Sequence, residues 1–186
     1  MSFINSQTQY SDADPFVYWV FNFYHMKEIQ LSKQGKHKGK YVALIDDEDF
    51  EMVNAFKWQV HINNNRIYAF RAFRINNIMQ SIFMHNLIKG SKMIDHIDHN
   101  GLNNQKYNLR ICNHTENMWN RRPSKNCKSI YKGVTVNNKL NKFIATIYFN
   151  KKRIYLGIFE KEIDAAKAYD AKAKELFGEF AYLNFK

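Results

Sequence analysis

Residues Ile94–Asn120 read IDHIDHNGLNNQKYNLRICNHTENMWN. The stretch opens on Asp95 and His96 inside a short apolar run (Met93, Ile94, Ile97) that predicts a strand. The Asn- and Gly-rich segment behind it predicts a loop, because these residues favour turns. Asn108 to Cys112 predicts a second strand. Thr115 is the expected N-cap, and Glu116 to Arg122 the expected short helix. The remaining elements are read outward from this strand, loop, strand and helix.

Asp-His, then NGL-x-N, NLR-x-C and the helical Asn117, in that order, resemble the ββα-metal motif of the HNH nucleases. Asn108 follows His96 by 12 residues and Asn117 follows it by 21, within that family's range. The resemblance implies a metal-dependent DNA endonuclease, a phosphodiester hydrolase of the phage or homing (mobile-intron) type. The residue types suit that chemistry. Phosphodiester hydrolysis needs a base to activate water and a cation to stabilise the departing oxygen. An imidazole titrates near neutrality, so His96 can accept a proton. Asp95 and the amide oxygen of Asn117 are hard donors, suited to one Mg²⁺ or Mn²⁺ rather than Zn²⁺. Water and DNA phosphate would complete the shell. The resemblance places Asn108 beside His96 in the catalytic set, bracing the loop rather than moving a proton. Taken singly, these residues read as a capped turn, a satisfied buried His and an Asn on a helix.

Bulk composition agrees with a DNA partner. The 186 residues are 45% hydrophobic and 16% aromatic, which excludes a disordered chain, and carry a formal charge of +11. Nucleic acid is the usual partner of so basic a chain. The cations are spread along the chain from residue 26 onward, which predicts a long DNA-facing surface. Two cysteines, Cys112 and Cys127, make neither a disulfide framework nor a four-Cys site, so no structural zinc is expected. No stretch approaches the ~20 apolar residues of a membrane helix. The expected location is intracellular, the cytoplasm or nucleoid of a bacterial host.

The expected fold class is α+β, in four segments. Residues 1–25 form an uncertain extension: Phe16 to Tyr24 reads as one more buried strand, and Met26 as the natural start. Residues 26–122 form the nuclease domain, a β-rich scaffold with the ββα core at 92–122. In the scaffold, Lys33 to Lys40 is a basic loop and Tyr41 to Ile45 a strand. Asp46 to Phe56 is a helix that buries Phe50, Val53 and Phe56. Trp58 to Ile62 and Arg66 to Phe73 form a hairpin about Asn63-Asn64-Asn65. Ser81 to Lys89 is a strand end or helix, in which His85 reads as structural. The acidic run Asp46 to Asp49 reads as a solvated helix start before a metal cluster.

Residues 123–129 form a basic linker after the helix-stopping Pro123. Arg110, Arg121 and Arg122 are assigned to DNA contact. Residues 130–186 predict three antiparallel strands (Tyr131 to Val136, Phe143 to Phe149, Arg153 to Phe159) packed on one helix (Glu160 to Phe177) stopped by Gly178. YKGV at Tyr131, F-x-A-x-I from Phe143, R-x-YLGIF from Arg153, DAAKAYDAKA from Asp164 and the terminal AYLNF resemble the Apetala-two/ethylene-response-factor DNA-binding domain. The resemblance implies DNA reading by the outer sheet face. By position, the readers are Lys132, Thr135, Asn137, Lys142, Thr146, Tyr148, Arg153 and Tyr155. The plant domains favour Arg where this chain has Thr135, Asn137 and Tyr148, which implies a different or weaker sequence preference.

The reading is a site-selective endonuclease, acting as a monomer on double-stranded DNA and nicking one strand. The alternatives are a DNA-binding transcriptional regulator with an inactive nuclease unit, and a structural coating protein.

Overall fold

Asparagine turns organise much of the chain. In the computed structural model, which describes residues 25–32, 35–64, 66–124 and 127–185, Asn76 and Asn77 both take positive φ, at 48° and 63°. That pair closes the hairpin of β4 (Arg66–Ile75) and β5 (Ile78–Phe83). Two successive left-handed residues match the twist of the flanking strands, and Asn tolerates them better than most residues. Asn150 and Lys151, at 48° and 62°, do the same between β9 (Lys142–Phe149) and β10 (Lys152–Phe159). The strand suggested for Phe16 to Tyr24 lies outside the described residues.

The chain divides into two packing units between Arg110 and Ile111. In the first, β1 (Met26–Gln30) pairs antiparallel with β2 (Val42–Asp46), and β3 (Gln59–Asn63), β4 and β5 form an antiparallel sheet in that order. A short helix α1 (Phe50–Asn54) follows a 3₁₀ turn at Asp47–Asp49, and α2 (Met84–Lys89) follows β5 directly. The core holds Ile29, Leu31, Ala43, Ile45, Val53, Trp58, Ala69 and Met84. Val53 is buried as expected and Phe50 packs against this core, but Phe56 is 38% exposed. Phe56 lies past the end of α1, where the Arg71 guanidinium stands over its ring at 3.9 Å. β6 (Ile94–His96) pairs with β7 (Leu109–Ile111).

The second unit begins within β7. It contains α3 (His114–Trp119), β8 (Val134–Asn137), β9, β10 and α4 (Glu162–Phe177). The helix α3 starts at Asn113, not Thr115. Asn113 accepts from the Glu116 amide at 3.0 Å while Glu116 accepts from the Asn113 amide at 2.7 Å, a reciprocal capping box. The strands form an antiparallel sheet in the order β10-β9-β8, and α4 packs on one face. The Trp119 ring of α3 stacks on Phe177 at 4.6 Å. The fold class is α+β.

Candidate active site and nucleic-acid interface

Asp95 and His96 are both buried on β6. The loop behind them is tied to β2 through residues 102–106. Leu44 of β2 donates its amide to Leu102 at 2.8 Å and accepts from the Asn104 amide at 2.7 Å. Asp46 accepts from Gln105 Nε2 at 3.1 Å and the Lys106 amide at 2.7 Å. The Lys106 ammonium sits among the acids, 2.6 Å from Glu48 and 3.2 Å from Asp49. The run Asp46–Asp49 is therefore an anchor for the loop, where the sequence suggested a solvated helix start. Burial raises the Asp49 pKa, against the opposing pull of Lys106.

Inside the loop, Asp98 collects three donors: the Asn100 amide at 2.7 Å, Asn108 Nδ2 at 2.9 Å and Asn103 Nδ2 at 2.9 Å. Asn108, 1% exposed, also accepts from the Asp98 amide at 3.0 Å and donates to the Asn103 carbonyl at 2.8 Å. Asn108 thus ties Asp98 to Asn103 within the loop. Gly101 passes so close to Tyr68 that a Cβ there would lie 2.4 Å from both the Ile67 carbonyl and the Tyr68 ring.

His96 Nε2 lies 3.4 Å from Asn104 Oδ1, at the outer limit of a hydrogen bond. Its ring meets His85 edge-on at 4.9 Å and Tyr68 at 5.8 Å. Burial lowers the His96 pKa, more than Asn104, Asp98 and Asp95 raise it. The ring is held neutral, the form a base requires. Asp95 Oδ2 accepts from Arg110 Nη2 at 2.6 Å and Nε at 3.0 Å, with the two side chains 8% and 10% exposed. Arg110, expected to contact DNA, is instead the buried counter-ion of Asp95, because the pairing of β6 with β7 brings the two together. A carboxylate this buried needs such a partner.

Asn117 lies on α3, in the second unit. On the outer face of the C-terminal sheet, the register sets Arg153 opposite Tyr148, Tyr155 opposite Thr146, and Asn137 opposite Lys142. Tyr148 and Tyr155 are 65% and 62% exposed, and Arg153 and Thr135 are exposed beside them. Four of the expected readers are buried or already bonded within the protein. Thr146 is 8% exposed on the central strand. The Lys132 ammonium donates to the Trp119 carbonyl and stands over Tyr182, with its pKa lowered to about 8 by burial and then by Arg121. Asn137 Oδ1 accepts the Lys139 and Leu140 amides of its own turn. Lys142 is paired with Glu160 at 2.6 Å. Of the linker cations, Arg121 and Arg122 are exposed.

The quoted C-terminal motifs clamp one another. Asn184 of AYLNF accepts the Lys132 amide at 2.7 Å and donates to the Lys132 carbonyl at 3.1 Å. Asp170 of the helical run accepts the Asn184 amide at 2.9 Å. Gly133 of YKGV, at φ 79°, lies beneath Tyr169, where a Cβ would come within 1.9 Å of the ring.

No family model matches the chain. It is similar to an uncharacterised HNH endonuclease of Acanthamoeba polyphaga mimivirus, 29% identical over 151 residues, covering 81% of this chain and 78% of that protein. The likeness supports an HNH nuclease. No described helix is long and apolar enough to cross a membrane.

Proposed function

We propose that the chain is a DNA endonuclease that selects its site and nicks one strand of duplex DNA. The observation that carries this reading is His96: a buried imidazole held neutral beside Asp95, on a strand whose following loop is locked by Asp98, Asn103 and Asn108. In the proposed reaction His96 takes a proton from water while the water oxygen bonds to phosphorus. The bond to the 3′ oxygen breaks and that oxygen takes up a proton from solvent, leaving 5′-phosphate and 3′-hydroxyl ends. By type, the Asp95 carboxylate and the Asn117 amide are hard oxygen donors suited to one Mg²⁺ or Mn²⁺. When bound, the ion would stabilise charge on the leaving oxygen. Arg110 offsets the buried charge of Asp95 and fixes its orientation.

The 130–186 segment would serve as an Apetala-two/ethylene-response-factor-type module. Its exposed Arg153, Tyr155, Tyr148 and Thr135 would face the duplex. Arg121 and Arg122 would grip phosphate. One such site in a monomer produces a nick. Supercoiled plasmid incubated with protein and Mg²⁺ or Mn²⁺ tests this: the parent should yield open circles, and His96→Ala or chelator should not. Specific binding without metal-dependent cutting would instead identify a regulator.

A further inference from the structure

Three buried side-chain atoms among the described residues have no hydrogen-bond partner: Asp49 Oδ2, His85 Nδ1 and Asn86 Oδ1. Asp49 has a partner for its other oxygen in Lys106. His85 is harder to explain as scaffold. It is 8% exposed at the start of α2, stacked on Phe83 at 5.3 Å and 9°, and edge-on to Tyr68 and His96. A ring that only fills this aromatic wall needs no nitrogen, and phenylalanine would avoid the cost of burying an unpaired one. Folded proteins pair nearly all buried polar atoms, and exceptions often mark groups awaiting a ligand or a reaction.

We propose that His85 is a further catalytic residue: with DNA bound, its Nδ1 forms a hydrogen bond to the same water that His96 activates. The two ring centroids are 4.9 Å apart. Both rings are set by packing rather than by long flexible side chains. Two imidazoles would therefore fix the direction of attack more tightly than one. His85 stays uncharged, its pKa lowered to about 3 by burial and then by His96, so it would orient the water and leave proton transfer to His96. This inference rests on the nuclease reading.

The test compares His85→Phe, which keeps the ring packing, with His85→Asn, whose amide stands where Nδ1 stands. Single-turnover nicking at saturating DNA is read beside duplex affinity without metal and the urea midpoint. The expected result is a folded His85→Phe variant with parental DNA affinity, nicking slowed about 10- to 100-fold, and a faster His85→Asn variant. A His85→Phe variant that nicks within twofold of the parent overturns the inference, as does one that outperforms His85→Asn. If His85→Asn does not fold, the phenylalanine variant alone decides. A parent that binds DNA and never cuts it overturns the nuclease reading, and this inference with it.

Discussion

Replacing Asn108 separates the brace of the loop from its shape. The amide makes three short bonds from a side chain that is 1% exposed. Asn108→Ala removes the acceptor of the Asp98 amide and the donor to the Asn103 carbonyl. At about 1–3 kcal/mol for each of the two groups so deprived, the loss is about 2–6 kcal/mol. Asn108→Asp keeps the volume and the acceptor but puts an oxygen where Nδ2 stood, 2.9 Å from the Asp98 carboxylate and 2.8 Å from the Asn103 carbonyl. Two carboxylates that close cannot both ionise cheaply, so the pair holds a proton to higher pH in the folded state than in the unfolded one. The folded state then binds more protons, and its stability falls as pH rises. Relative to the parent, the loss is about 1.4 kcal/mol per pH unit above the unfolded carboxylate value near 4. Urea midpoints at pH 5 and pH 8 measure it. Asn108→Asp should recover toward the parent at pH 5 and fall below Asn108→Ala at pH 8. A difference from the parent that is the same at both values would refute the assigned bonding.

Other outcomes follow from single contacts. Arg110→Ala strands the buried Asp95 carboxylate and should cost about 3–5 kcal/mol, read as a lower thermal midpoint, with partial recovery when Asp95→Asn is added. Gly133→Ala forces a Cβ into Tyr169 at a positive φ, so the second unit should lose more than about 3 kcal/mol, seen as lost tyrosine near-UV dichroism. His85, with a pKa of about 3 against an ordinary 6.5, lets the unfolded chain take up a proton the folded chain refuses. Stability should therefore fall as pH drops from 6.5, by up to about 1.4 kcal/mol per unit from this group. His85→Phe should flatten that slope in urea titrations.

Sequence legibility tracked how local each signal was. The hairpin turn about Asn64 and the helix stop at Gly178 could be read directly, since a residue's own backbone preference sets them. The turn at Asn76-Asn77 carried an equally local signal that went unread, and with it the start of β5. Asp95, His96 and Asn108 stood out through the resemblance of their stretch to the HNH motif; Asn108 bonds to Asp98 and Asn103 in the loop that follows His96. Partners joined only by tertiary folding did not stand out. Arg110 looked like a surface cation because nothing near it in sequence shows that Asp95 lies across the ladder. Lys106 and Lys132 likewise look solvated until the acids at 46–49 and the Trp119 carbonyl fold against them. Phe56 fits a three-residue helical step, but α1 ends before reaching it.

The packing of α3 bears on how such genes can recombine. Through Trp119 on Phe177, and through the Tyr182 amide on the Trp119 carbonyl at 3.3 Å, this short helix is built into the C-terminal half. A crossover placed in the basic segment after Arg122 would hand the recipient a helix stripped of its hydrophobic seat. Chimeras exchanged near residue 111 would keep each half whole, and they should express as folded proteins where the later junction yields insoluble ones.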